Sequence, residues 1–148
     1  MSDFIVKIIP TTAYHRISDG KAAEILEYLK SKISADRIEC KRSETPTFVD
    51  CGSNLEKIVC PICRAEFSFD WWGKSMQLAN EGGFIDLTVK LPCCGGVSSL
   101  NDLEYHFPCG FSCAEFDILN PACEPYCECL RRVEEILGLP VRVIHTHI

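Results

Sequence analysis

Between Phe4 and Ile9 every position but Lys7 is apolar and Pro10 closes the run, a pattern that predicts a short strand. Ser18 or Asp19 can then cap a helix. Ala22, Ile25, Leu26, Leu29 and Ile33 recur at helical spacing, while Lys21, Glu24, Glu27 and Lys30 fill the opposite face. Arg37 to Arg42 and Thr47 to Val49 are shorter strand candidates, separated by Pro46. Downstream, Ala114, Phe116 and Ile118 alternate with Cys113, Glu115 and Asp117, which predicts a strand with one buried face. Pro125 suits the first position of a second helix that carries Tyr126, Leu130, Val133 and Leu137 on one stripe and stops at Gly138. A last strand runs from Val141 to Ile148.

With residues 52–107 set aside, the order is strand, helix, strand, then strand, helix, strand. That is the split βαβ order of an α+β, ferredoxin-like two-layer sandwich, with both helices on one face of an antiparallel sheet. Residues 1–51 and 108–148 would supply its two halves. Residues 52–107 would be an inserted, zinc-ribbon-like β subdomain. A chain of 148 residues can bury a core of useful size as a single domain, so a metal is not needed to replace a missing core.

Eleven cysteines change the picture, because such a count reflects either disulfides in an oxidising compartment or thiolates on metal in a reducing one. The opening MSDFIVKIIP has an acid at position 3 and no small-residue cleavage site, so it does not read as a signal peptide, and a cytoplasmic, reduced protein is expected. No apolar stretch approaches the roughly 20 residues of a membrane span. The net charge of −6 opposes nucleic-acid binding, as do four Lys and Arg against seven Asp and Glu in residues 55–107.

Cys60 and Cys63 form a C-P-x-C turn of the kind that brings two thiolates to one ion. A closed zinc site takes four ligands, so a second pair is needed. The run Ile85, Leu87, Val89, Leu91 alternates with Asp86, Thr88 and Lys90 as a half-buried strand that delivers the chain to Pro92, Cys93, Cys94 and Gly95. Cys94 sits where the last cysteine of a second knuckle would be. Leu91 occupies the place of its first, and Cys93 is the best available fourth ligand. One Zn2+ held by Cys60, Cys63, Cys93 and Cys94 is therefore the expectation. A site of three cysteines completed by Cys51, His106 or Cys109 is the variant, and an iron–sulfur cluster uses the same ligand type. Thioredoxin-like chemistry fits less well, because Cys63 is followed by Ala65 to Phe69, which read as a strand and not as a helix.

The stretches FVDCGSNLE (48–56), CPIC, WWG (71–73), PCCG (92–95), SLNDL (99–103) and PCGF (108–111) resemble a family of short, uncharacterised bacterial proteins with a zinc-ribbon-like CPxC and PCCG pair. The resemblance covers residues 46–119 and the ending VIHTHI. It implies the ribbon and brings no established activity.

Trp71 and Trp72, read as the end of that strand, would point to opposite faces. One of them can then serve as a protein-binding anchor together with the turn from Asn80 to Gly83, or both can cover the join between ribbon and sheet. Asn101 and Asp102 read as turn or helix caps. Cys109 with Cys113, and Cys123 with Cys127, are spaced for a second site, with Cys129 left over; His145 and His147 alternate on the last strand as packing or surface residues. The favoured function is a non-enzymatic adaptor that binds another protein through a zinc-stabilised insertion. The alternative is an enzyme with Cys109 or Cys113 as nucleophile near His106, or with a metal-bound water.

Overall fold

The computed structural model describes residues 3–123 and 127–147. The chain runs β1 (Phe4–Pro10), α1 (Asp19–Lys32), β2 (Arg37–Val49), a 3-10 turn (Gly52–Asn54), β3 (Lys57–Val59), β4 (Glu66–Phe67), α2 (Phe69–Glu81), β5 (Thr88–Lys90), β6 (Val97–Ser99), β7 (Glu104–His106), β8 (Gly110–Leu119), α3 (Cys127–Leu137) and β9 (Val141–His147). The protein is mixed α+β, with sheets ordered β2-β8-β1-β9, β4-β3-β7 and β5-β6. All the pairings are antiparallel.

The four-stranded sheet has a separate core on each face. On one side Val6, Ile8, Ile38, Phe116 and Ile118 pack with Ile25 and Leu29 of α1 and with Val133 and Leu137 of α3. Ser18 caps α1 by accepting the Lys21 N–H at 3.2 Å. Gly138, at φ +76°, closes α3 where a left-handed residue is required. On the other side Ile9, Val49, Phe111 and Ile144 pack against Ile58, Phe67, Leu87, Leu91, Leu100, Leu103 and Tyr105 of the middle segment. Each such buried side chain contributes about 1.5–3 kcal/mol of hydrophobic stabilisation.

Several sequence expectations need correction. Pro46 does not split the strand: β2 is continuous through it, with a register shift between Arg42 and Thr47. Because β2 lies at the sheet edge, a proline at a bulge removes no essential ladder bond. Strand β8 is buried on both faces, Ser112, Cys113 and Asp117 included, because it lies inside the sheet between β2 and β1. The strand expected from Ile85 begins at Thr88, and Ile85 itself is 62% exposed.

The largest correction concerns Trp71 and Trp72. The strand expected through them ends at Phe67, and both residues belong to the first turns of α2, so the middle segment is not all β. Ser68 accepts the Trp71 N–H at 3.1 Å and starts that helix. Asp70 in its first turn pairs with Lys74 at 3.1 Å. Pro125, Tyr126 and Ile148 lie outside the described residues.

Candidate metal centre

The two cysteine motifs occupy the tips of two hairpins built alike. In the first, the Cys60 N–H donates to Ala65 O at 2.8 Å and the Arg64 N–H to Cys60 O at 3.1 Å. In the second, the Leu91 N–H donates to Gly96 O at 2.8 Å and the Gly95 N–H to Leu91 O at 2.9 Å. The matching bonds equate Cys60 with Leu91, Ile62 with Cys93, Cys63 with Cys94 and Arg64 with Gly95. The latter pair share a left-handed conformation, at φ 70° and 74°. Leu91 thus holds the place of a knuckle's first cysteine, as the sequence indicates, and Cys93 makes up the number from the place of Ile62. Gly96 lets the tips close: a Cβ there would lie 2.8 Å from Ile62 Cδ1 and 3.5 Å from Cys94 Sγ.

Cys60, Cys63, Cys93 and Cys94 present four sulfurs that all lie within 4.8 Å of one another, a group that can hold a metal ion. Cys63 and Cys93 Sγ are 3.3 Å apart, and Cys60 and Cys94 Sγ 3.9 Å. A tetrahedron with metal–sulfur bonds of about 2.3 Å has edges of about 3.8 Å, so the cluster has the size that a single ion needs. Cys60 is buried, and the other three thiols are exposed.

Electrostatics favours a cation there. Burial raises the Cys60 pKa, but N–H groups donated by Cys63 and Ile62, both 3.4 Å from the sulfur, together with the neighbouring thiols, outweigh it and bring Cys60 down to about 6. Cys93, although exposed, is pushed up to about 12 by desolvation among the packed sulfurs, by hydrogen bonds with its thiol neighbours and by the Cys60 charge. One thiolate is thus stabilised by the backbone, and a second is opposed by the first. Four can coexist only around a positive ion.

Trp71 and Trp72 are half-buried, and both pack against the core shared by the sheet and the middle segment. Trp71 stacks on Phe67 with ring centres 4.5 Å apart. Trp72 meets Phe48, Phe69 and Tyr105, and its Nε1–H donates to Tyr105 Oη at 3.2 Å. The exposed apolar residues of this helix are Phe69 and Leu78.

The other cysteines form no comparable group among the described residues. Cys109 and Cys113 are buried, Cys123 and Cys127 exposed, and Cys129 buried within α3. Burial raises the thiols of Cys109 and Cys113, which is opposite to the low pKa of an activated nucleophile. His106 lies 3.9 Å from Glu104. His145 and His147 stack on Phe4.

Asn101 lies in a turn, but its side chain bonds across the fold and does not cap that turn. It is 4% exposed, donates from Nδ2 to Thr11 O and accepts the Phe111 N–H at Oδ1, both at 2.8 Å. Arg142 Nη1 donates to Cys109 O beside it at 2.8 Å, and this network ties the segment that carries the cysteines to the sheet. No protein-family model, curated protein or solved structure matches the chain.

Proposed function

We propose that the chain is a zinc protein in which one Zn2+ is closed by Cys60, Cys63, Cys93 and Cys94, and that the metal is structural. The observation that carries this reading is the convergence of four sulfurs from two matched hairpin tips. Four protein donors leave no position for a substrate water. The strand order β2-β8-β1-β9, with α1 and α3 on one face, supports a ferredoxin-like split βαβ sandwich. The paired knuckles support a zinc-ribbon-like insertion, elaborated by α2.

The role that fits this construction is display of a surface to another protein. Among the described residues seven large hydrophobic side chains are exposed, and all but Tyr14 lie between residues 62 and 107. Trp71 and Trp72 anchor α2 in the core, while Phe69 and Leu78 look outward from it. A metal-closed segment that concentrates exposed apolar area in this way suits an adaptor. Elemental analysis of protein purified without chelator tests the metal: one zinc per chain is expected. A folded, metal-free preparation, or coloured protein containing iron, overturns it.

A further inference from the structure

Resting on that reading, we propose that the free edge of β5 binds an extended peptide strand of another protein, antiparallel to it, with an acidic residue opposite Lys90 and a basic residue opposite Asp86. A groove of about 600 Å³ runs between β5 and α2 and opens to the surface. Its β wall is Thr88, Val89 and Lys90, three consecutive residues. Side chains alternate across a strand, so three neighbours can border one groove only along the strand's edge. The opposite wall is Ser75, Leu78 and Ala79 on one face of α2 with Gly82 just past its end, and Leu100, Ile85 and Asp86 complete the lining.

The backbone of this edge asks for a strand. β5 is paired with β6 alone. The Leu91 N–H bonds Gly96 O, and Leu87 O accepts the Leu100 N–H, so the odd-numbered residues turn their polar groups toward β6. Thr88 and Lys90 therefore turn theirs outward. The Thr88 N–H is taken by Asp86 Oδ1 at 3.0 Å, which leaves Thr88 C=O and both polar groups of Lys90 for an incoming chain. An added antiparallel strand satisfies all three, and its carbonyl opposite Thr88 takes the Thr88 N–H in place of Asp86 Oδ1, which frees that carboxylate to meet the basic residue, as in recognition by strand addition. A helix in the same groove satisfies none.

Charge fixes direction and chemistry. Asp86 and Lys90 are exposed, and neither belongs to an ion pair among the described residues. Lys90 ends β5 and Asp86 stands two residues before its start, so an extended chain separates them by about 13 Å. The Thr88 N–H and hydroxyl hold the Asp86 carboxylate below its ordinary range, so its charge persists. Opposite charges placed across from each other in an antiparallel pair stabilise it, and like charges oppose it. The apolar positions of the visitor alternate between them and face the side of Val89 and Leu100.

The probe is an acetylated, amidated pentapeptide reading glutamate, valine, threonine, valine, lysine, titrated into the zinc-loaded full chain. Saturating peptide is expected to slow hydrogen exchange of the Lys90 amide at least about tenfold, as a new hydrogen bond requires. A peptide with its two charged ends exchanged binds about fivefold more weakly, and Lys90→Glu abolishes that preference, because either peptide then makes one matched and one mismatched pair. N-methylation at the peptide's threonine abolishes binding, because the donor to Thr88 C=O is gone. An unchanged Lys90 amide at millimolar peptide, equal binding of the N-methylated peptide, or pairing of two copies of this chain through β5 each overturns the proposal. Metal content, measured on the same samples, separates the failures: zinc retained without peptide binding sinks the strand site alone, and absence of zinc sinks the structural-metal reading.

Discussion

Asn101 joins two parts of the molecule through bonds whose partners are remote in sequence. Removal of its side chain in Asn101→Ala leaves the buried Phe111 N–H without its acceptor and the half-buried Thr11 C=O without its donor. The expected cost is about 2–4 kcal/mol by urea unfolding, since each unmade buried bond costs about 1–3 kcal/mol. The sequence showed a turn residue there and nothing more, because no local pattern can announce an acceptor ninety positions upstream. A second effect at this scale is Glu115, which lies beside Asp117, itself 4% exposed and paired with Lys41 at 3.1 Å. Burial, then the hydrogen bond and charge of Asp117, raise Glu115 to about 8 from an ordinary 4.5, with Lys7 and Lys41 opposing. A carboxyl raised in the folded state contributes stability that is full below about 4.5 and is lost as pH rises through about 8. Stability measured from pH 5 to 9 is therefore expected to fall. Glu115→Gln flattens that slope, and an unchanged slope would rule Glu115 out as its source.

Among the elements, the first cysteine turn was legible because C-P-x-C sets two thiols at a fixed spacing, whereas the second, with Leu91 in place of its first cysteine, was legible only through the adjacent Cys93 and Cys94 before Gly95. Helix α1 was legible for the same kind of reason, as a cap followed by a clean apolar stripe. Helix α2 was not, because the aromatic run from Phe67 to Trp72 alternates with polar residues and imitates a strand. The signals that could have found it were Ser68 as cap, Asp70 in the first turn and Lys74 four residues on. It has no fully buried residue, so its capping matters. Ser68→Ala is expected to cost about 1 kcal/mol and to raise amide exchange in residues 69–73 ahead of the rest. At the tip of the first cysteine hairpin, Arg64 occupies a left-handed conformation that glycine fills in the second. Arg64→Val is expected to destabilise by about 1–2 kcal/mol, whereas Arg64→Gly leaves stability within about 1 kcal/mol, because the Arg64–Glu104 ion pair it loses is solvent-exposed. Thermal melts of the two variants distinguish them.

The whole molecule is organised around a sheet with a core on each face, and only one of these cores involves the cysteine-bearing segment. Cys60→Ser removes the one ligand that is both buried and held by two backbone N–H groups. It is expected to release the metal and expose amides of β3 to β7, while Ile25, Leu29, Val133 and Leu137 keep α1 and α3 on the sheet. Uniform loss of exchange protection across the chain would instead show that the two cores unfold as one. The order of the outer strands and helices followed from periodicity alone, but the sharing of the second core between the sheet and the middle segment did not, since Ile9 and Ile144 look like ordinary alternating strand residues. Among the described residues, no helix is long and apolar enough to cross a membrane. X-ray absorption at the zinc edge, on protein as purified, reads directly whether one ion is closed by four sulfurs. Four sulfur neighbours at about 2.3 Å are expected. A shell containing oxygen or nitrogen, or fewer than four sulfurs, would show instead an open, water-accessible metal.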